Sequence, residues 1–99
     1  MTQFVVQESA SYRIDEIYQY TLNKWGKKKA NSYIEGLFKT FSKIRSSEMS
    51  SRPIPAEFGV NGFYFRYEKH FVYWKYLGSD EIGIVIVLHE RMHQIRHFK

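Results

Sequence analysis

Residues 63–76 decide the fold, and they read Phe-Tyr-Phe-Arg-Tyr-Glu-Lys-His-Phe-Val-Tyr-Trp-Lys-Tyr. The two runs 63–68 and 71–76 each alternate like a strand with two different faces, and the short polar break between them fits a turn. A third run, 82–88, is apolar at almost every position and follows Gly78-Ser79-Asp80, a turn sequence. Continuous apolarity is typical of a central strand covered on both faces. The second half of the chain therefore predicts an antiparallel meander of three strands.

The first half of the chain predicts two helices. Apolar residues from Ala10 to Trp25 follow the three-and-four spacing of one helical face, and Trp25 is expected in the core. Gly26 stands where a helix end needs a residue that tolerates positive φ. A second periodic set runs from Ala30 to Ile44 after only a short break. The short break predicts that the two helices are antiparallel neighbours in a hairpin.

Shorter segments complete the order of elements. Residues 4–6 predict a brief strand, Ser9 or Ser11 is expected to cap the first helix, and residues 46–55 form a polar linker ended by Pro53-Ile54-Pro55. The order β-α-α-β-β-β predicts an α+β fold in which an N-terminal helical hairpin packs on a small antiparallel sheet. We expect residues 1–99 to form a single domain.

Composition narrows the class of protein without selecting a function. The 99 residues carry a net charge of +5, 18% are aromatic and none is cysteine. A basic surface attracts nucleic acid, acidic proteins or anionic membranes alike, and we interpret the run Lys27-Lys28-Lys29 as a solvated basic patch. No apolar run approaches the roughly 20 residues of a membrane span, and no signal-peptide pattern is present. We expect a cytoplasmic protein that does not interact with membranes.

The pentapeptide His89-Glu90-Arg91-Met92-His93 matches H-E-x-x-H, the zinc-peptidase motif. In such peptidases the motif lies within a helix, whereas His89 here directly follows a predicted strand. We therefore reject the peptidase interpretation. His97 extends the pattern to three histidines four residues apart, which would bind a metal only adventitiously. We expect no metal and no other cofactor.

Three segments together make the chain recognisable. It resembles the ParE toxins of the ParE/RelE toxin–antitoxin superfamily nearly end to end, in Trp25-Gly26, in residues 69–74 (Lys-His-Phe-Val-Tyr-Trp) and in residues 86–92 (Ile-Val-Leu-His-Glu-Arg-Met). His93 replaces the usual Asp of the family's last-strand signature, and Ile86 occupies a position that is often Arg. The first replacement explains the match to H-E-x-x-H.

The resemblance implies a toxin that binds DNA gyrase, so that the cleaved-DNA complex persists, and that has no catalytic residues and no small-molecule substrate. It also implies a ParD-type antitoxin, whose disordered segment folds along a groove of the toxin. For target binding we select exposed polar residues near the end of the last strand, namely Arg91, His93, Arg96 and His97. For antitoxin binding we select residues expected on the sheet face away from the helices, namely Tyr64, Arg66, Trp74 and Tyr76.

Two alternatives stay open. RelE-type toxins of the same superfamily are ribosome-dependent mRNA endonucleases, which need cations for the phosphate and groups for proton transfer. Arg66 and Arg91 could serve the phosphate, and the proton-transfer candidates are Glu57, Glu68, His93 and His97. The modest basic density and Phe98, which lacks a tyrosine hydroxyl, disfavour this alternative. The other alternative is a non-toxic remnant that binds only its antitoxin.

Two residues also have structural interpretations. Arg66 is expected to pair with Glu68 or with a cross-strand acid, and a functional role for it stays equally open. His89 ends a buried strand and is expected to hydrogen-bond to the backbone.

Overall fold

In a computed structural model, two helices pack on one face of a five-stranded sheet. The structure describes residues 3–44, 50–78 and 81–98. The strands are β1 (Gln3–Val6), β2 (Arg52–Pro53), β3 (Phe63–Tyr67), β4 (His70–Tyr76) and β5 (Glu81–His89). The helices are α1 (Glu8–Trp25) and α2 (Lys27–Lys43), with short 3-10 helices at Ala56–Phe58 and Gln94–Phe98. None of the helices in the described ranges is long and apolar enough to cross a membrane.

The sheet has the strand order β1-β5-β4-β3-β2. Strands β3, β4 and β5 form the predicted antiparallel meander, and β5 pairs with a neighbour on each side. The α+β architecture is therefore confirmed. The sheet is mixed, however, because β1 pairs with β5 in parallel. It is also one strand wider than expected, because Arg52 and Pro53 from the predicted linker pair with β3 at the sheet edge, where proline is tolerated.

The predicted helical hairpin is confirmed, but its first helix begins at a different residue from the one expected. Neither Ser9 nor Ser11 caps α1, because the helix begins at Glu8, directly after Gln7 donates a backbone hydrogen bond of 3.0 Å to Ile84. The chain thus enters the helix as soon as it leaves the sheet. Gly26, with φ of 92°, ends α1 and donates its N–H to the carbonyl of Leu22 at 3.0 Å. That conformation favours glycine, and α2 begins at the next residue.

The main core lies between the hairpin and the sheet. Ala10, Ile14, Leu37 and Phe41 from the helices pack with Val72, Ile82, Ile84 and Val87 from the strands. Trp25 is outside this core with 61% of its surface exposed, so the prediction that it is buried is wrong. Residues 23–29 are all exposed, since the end of the hairpin extends past the packed part of the helices.

A second apolar cluster covers the opposite face of the sheet. It contains Ile54, Tyr73, Ile86 and Leu88, with Phe58 and Phe98 packed against it. The Phe98 ring lies 4.8 Å from that of Tyr73 and 5.4 Å from that of Phe58. The Tyr73 hydroxyl donates to Gln94 Oε1 at 2.7 Å, which fixes the C-terminal 3-10 helix on the sheet. Both faces of β5 are therefore covered, as predicted.

Two predicted segments lie partly outside the described residues. Of the turn Gly78-Ser79-Asp80 the structure describes only Gly78, and of the linker 46–55 it describes residues 50–55.

Candidate functional site

An open groove of about 730 Å³ runs between α1 and the strand ends of the sheet. Helix α1 forms one wall, and the start of α2, the β3–β4 turn and the end of β5 form the rest. Apolar side chains in the groove include Ile17, Val87 and Met92. Five lining residues are basic and two are acidic, namely Arg13, Lys24, Lys29, Lys69 and Arg91 against Glu16 and Glu68. The groove therefore combines apolar surface with an excess of positive charge.

Two histidines and a tyrosine meet inside the groove. His70 at the start of β4 pairs with His89 at the end of β5, and their rings are perpendicular with centroids 5.1 Å apart. The hydroxyl of Tyr33, from α2, lies 2.7 Å from His70 Nδ1. Tyr33 is itself held by Tyr67, whose hydroxyl donates to the Tyr33 carbonyl at 3.0 Å. Residues from α2, β3, β4 and β5 are thus joined at one point.

The protonation states in this cluster follow from burial. Burial raises the pKa of Tyr33 to about 12, with smaller contributions from Tyr67 and Glu68. Burial, together with the neighbouring His89, lowers the pKa of His70 from 6.5 to about 4. At neutral pH the phenol is therefore protonated and the imidazole is neutral, so the Tyr33 hydroxyl donates to His70 Nδ1.

The H-E-x-x-H motif begins in the last residue of β5 and continues into the turn that follows. His89 is the last residue of β5, and Glu90 and Arg91 form the turn that follows. The motif therefore lacks the helical context of a zinc peptidase, as predicted. The Arg91 backbone N–H donates to His89 Nδ1 at 3.1 Å, which confirms the predicted backbone hydrogen bond of His89. Among the described residues no group of three or more His, Cys, Asp or Glu side chains is arranged to hold a metal ion.

Arg66 connects β3 to the same turn. Its guanidinium forms an ion pair with Glu90, and its Nε donates to the backbone carbonyl of Glu68 at 2.8 Å. The predicted pairing of Arg66 with an acid across the sheet is confirmed, and the contact with Glu68 is to its backbone.

The four residues selected for target binding are all exposed and follow β5 closely. Arg91 lines the groove, His93 comes before the C-terminal 3-10 helix, and that helix carries Arg96 and His97. The Arg13 guanidinium lies 3.3 Å from His97 Nδ1 and donates to it, which ties this segment to α1. Whether these residues contact a target stays a prediction.

The four residues selected for antitoxin binding do not share one exposed face, and that expectation is wrong. Tyr64 pairs with Tyr73 on the face covered by the C-terminal segment, whereas Trp74 pairs with Phe63 on the helix face. Trp74 is only 4% exposed, and its Nε1 donates to Ser51 Oγ at 3.0 Å. Tyr76 is 55% exposed at the end of β4. Trp74 lies on the helix face because of the register of the β3–β4 pair, and alternation alone does not predict that register.

The residues considered for RNA cleavage are brought together only in part. Of these six, only Glu68 and Arg91 line the groove. Arg66 is paired with Glu90, and Glu57 lies in the 3-10 helix Ala56–Phe58, away from the groove lining. Because Arg66 also donates to the Glu68 carbonyl, these two residues lie close together beside the groove, and the RNA-cleavage alternative stays open.

Sequence reasoning missed an exposed cluster at the end of the hairpin. Lys24 Nζ lies 5.5 Å from the ring centroids of both Tyr20 and Trp25, and it donates to the Tyr20 hydroxyl at 3.1 Å. The available signal was the absence of any acid between Glu16 and Glu35, a stretch that contains four lysines.

Comparison with known protein families gives one decisive match. Residues 5–94 match the ParE toxin of type II toxin–antitoxin system, parDE. The chain belongs to the ParE toxin family. A solved structure titled "Chromosomal ParDE TA system from P. aeruginosa" contains a chain with the same fold. That chain is 17% identical with a TM-score of 0.67, and the alignment covers 90% of this chain and 96% of that chain. No curated protein matches the sequence.

The segments that carried the resemblance to ParE toxins converge in the structure. Trp25, residues 69 and 70 and four residues of 86–92 all line the groove, although they are far apart in sequence. The ParE-family features of this chain thus meet around one concave surface, which makes the groove the leading candidate for a binding site.

Proposed function

We propose that this ParE-family chain is the toxin of a type II toxin–antitoxin pair and that it inhibits DNA gyrase by binding, without chemistry of its own. The observation that carries the proposal is the family match over residues 5–94. The groove in which the ParE-family segments meet supports a binding function, since concave surfaces of this kind are typical binding sites. We also propose a cytoplasmic location, because gyrase would be met there.

We further propose that a ParD-type antitoxin occupies the groove with an acidic, amphipathic segment. The groove offers apolar contacts at Ile17 and Met92 and five basic side chains, and an acidic amphipathic segment complements both. Arg66 is exposed and remains a proposed contact beside the groove, and Tyr76, exposed at the opposite end of β4, remains a proposed contact for an antitoxin segment that extends beyond it. Tyr64 and Trp74 are proposed to support these contacts from within the sheet.

Target binding is proposed for the exposed residues that follow β5, Arg91, His93, Arg96 and His97. Because Arg91 also lines the groove, an antitoxin in the groove would cover part of the target-binding surface. Neutralisation is then direct occlusion of the toxin.

The test is a supercoiling assay with purified gyrase and relaxed plasmid, scored for lost supercoiling and for linear DNA trapped in cleaved complexes. We expect inhibition that a co-purified ParD-type antitoxin reverses. Arg91→Ala/Arg96→Ala should raise the concentration for half-inhibition at least about tenfold, the effect of losing 1.4 kcal/mol. The matched control is Arg52→Ala/Lys75→Ala, which removes two exposed cations elsewhere on the sheet.

The opposite results are equally informative. If gyrase stays fully active at a large molar excess, gyrase inhibition is wrong, and mRNA cleavage on ribosomes becomes the assay to run. If expression also leaves growth unaffected, the chain is a remnant that binds only its antitoxin. Groove occupancy is tested separately, because Lys29→Glu/Lys69→Glu should weaken antitoxin binding, whereas Lys39→Glu/Lys75→Glu should not.

A further inference from the structure

The end of the helical hairpin presents a surface that overlaps the groove at Tyr20, Lys24, Trp25 and Lys29 and extends beyond it at Lys27 and Lys28. Residues 23–29 are all exposed. From residue 17 to residue 34 the chain carries four lysines, three tyrosines and a tryptophan, and it contains no acid. The first turn of α2 is Lys27-Lys28-Lys29, without an acidic residue to offset it. Positive charge and aromatic surface are therefore concentrated at one protruding end of the molecule.

The aromatic side chains there are held outward. Tyr20 and Trp25 are each 61% exposed, and Lys24 lies between them at 5.5 Å from both ring centroids. The hydrogen bond from Lys24 Nζ to the Tyr20 hydroxyl, 3.1 Å long, fixes this arrangement. Exposing a tryptophan to this extent forgoes the stabilisation of burying it. A flat aromatic ring flanked by cations is the arrangement on which unpaired bases stack.

The chemistry favours single-stranded nucleic acid over an acidic peptide. An acidic amphipathic peptide needs apolar side chains to pack on, and in the groove Ile17 and Met92 provide these, outside residues 20–29. Residues 20–29 instead offer two exposed ring faces and four lysines, and two of these lysines, Lys27 and Lys28, lie outside the groove lining. Ring faces and point charges suit bases and phosphates.

We propose that the hairpin end, residues 20–29, binds single-stranded DNA. Trp25 and Tyr20 stack on bases, and the lysines at 24, 27, 28 and 29 face the phosphates. The choice of DNA rests on the proposed function, since a toxin that stabilises cleaved complexes of gyrase acts beside opened DNA strands. Binding of the oligonucleotide itself needs no gyrase, so the inference can be tested alone.

The experiment measures fluorescence anisotropy of labelled oligo(dT) with the full chain over a range of salt concentrations. Trp25→Ala should weaken binding by about tenfold, within the range measured for loss of one base–aromatic stack. Tyr12→Ala is the matched control, because Tyr12 is 63% exposed on the same helix and away from the lysines, and it should leave the affinity unchanged. Folding of the Trp25 variant is checked by the emission of Trp74, which is buried and becomes the sole tryptophan.

The lysines are tested by the salt dependence. Lys27→Gln/Lys28→Gln should reduce the slope of log affinity against log salt by about 1.4, since each phosphate contact to a single strand contributes about 0.7. The control Lys39→Gln/Lys75→Gln should leave the slope unchanged. The inference is overturned if oligo(dT) does not bind at low salt, if the two controls weaken binding as much as the test variants, or if poly-glutamate competes as well as oligo(dT).

Failure here is distinguishable from failure of the proposed function. Gyrase inhibition without oligonucleotide binding would remove the DNA contact and keep the gyrase proposal. If oligonucleotide binding depends on Trp25 and gyrase stays fully active, the DNA contact is kept and the gyrase proposal is wrong.

Discussion

The hydroxyl of Tyr33 and Nδ1 of His70 lie 2.7 Å apart and join helix α2 to strand β4. Because burial lowers the pKa of His70 to about 4 and raises that of Tyr33 to about 12, the bond runs from phenol to neutral imidazole. It also sets how the stability of the fold depends on pH.

We expect the stability contributed by neutral His70 to be lost on acidification. In the unfolded chain this histidine binds a proton near pH 6.5, whereas in the folded chain it does so only near pH 4. The unfolded state therefore takes up more protons between these values, and stability falls as pH falls through that window. Without screening, each pKa unit would correspond to about 1.4 kcal/mol of stability. Because the His70 ring is partly exposed, solvent screens its charge, and we expect a total loss of stability of about 1 kcal/mol.

Thermal unfolding from pH 7.5 to 4 measures this effect against His70→Asn, whose amide oxygen keeps an acceptor for Tyr33 without titrating. The wild type should lose more stability than the variant across the window. Parallel curves would show that His70 does not control the acid response.

Gly36→Ala should destabilise the protein by about 1 kcal/mol, although the same change elsewhere in a helix stabilises by a similar amount. A Cβ at position 36 would collide with the Tyr67 hydroxyl. The collision breaks the 3.0 Å hydrogen bond from Tyr67 to the Tyr33 carbonyl. In a Tyr67→Phe background the clashing oxygen is absent, so Gly36→Ala should become stabilising. Urea denaturation of the four proteins checks this reversal of sign, and a stabilising effect in both backgrounds would contradict the packing described.

Glu68→Gly should stabilise the protein by about 0.5–1 kcal/mol. Glu68 has φ of 54°, a left-handed conformation that favours glycine, in the two-residue turn between β3 and β4. The hydrogen bond from Arg66 to this turn is to the backbone carbonyl and survives the change. Glu68→Ala removes the same charge and keeps the strain, so calorimetry should show no comparable gain for it. An equal gain in both variants would point to charge instead of backbone conformation.

Phe98→Ala should cost about 2 kcal/mol, because a partly buried aromatic ring is removed from contact with Tyr73 and Phe58. Phe98→Leu keeps part of the apolar contact and should cost about half as much. Chemical denaturation measures both. If Phe98→Ala is neutral, the C-terminal segment does not stabilise the second face of the sheet.

Much of the fold follows from local patterns in the sequence. The alternation in residues 63–76, the apolar run before His89 and the break at Gly26 each depend on neighbouring residues, and the structure confirms the elements that they predict. Trp25 shows the limit of periodicity, which identifies the face of a helix but not how far the helix extends past its partner.

The candidate site was harder to predict because it depends on register. Alternation gives each strand two faces, but only the two-residue turn, which pairs Tyr67 with His70, places Trp74 beside Phe63 on the helix face. The groove needs a second register, that of His70 with His89, which brings together residues 19 positions apart in sequence. Local patterns cannot supply such pairings between strands, whereas the resemblance to ParE toxins supplied the segments that meet there.

The parallel pairing of β1 with β5 delays completion of the sheet while the chain is being synthesised. Strand β1 pairs with β5, so this sheet stays incomplete until β5 has left the ribosome. Until then Ile82 and Ile84 are missing from the core against which the hairpin packs. Such long-range pairing slows folding and prolongs exposure of apolar surface. A ParE-family chain of this topology therefore acquires its finished groove only after β5 has left the ribosome, which leaves an interval in which an antitoxin already present can meet it.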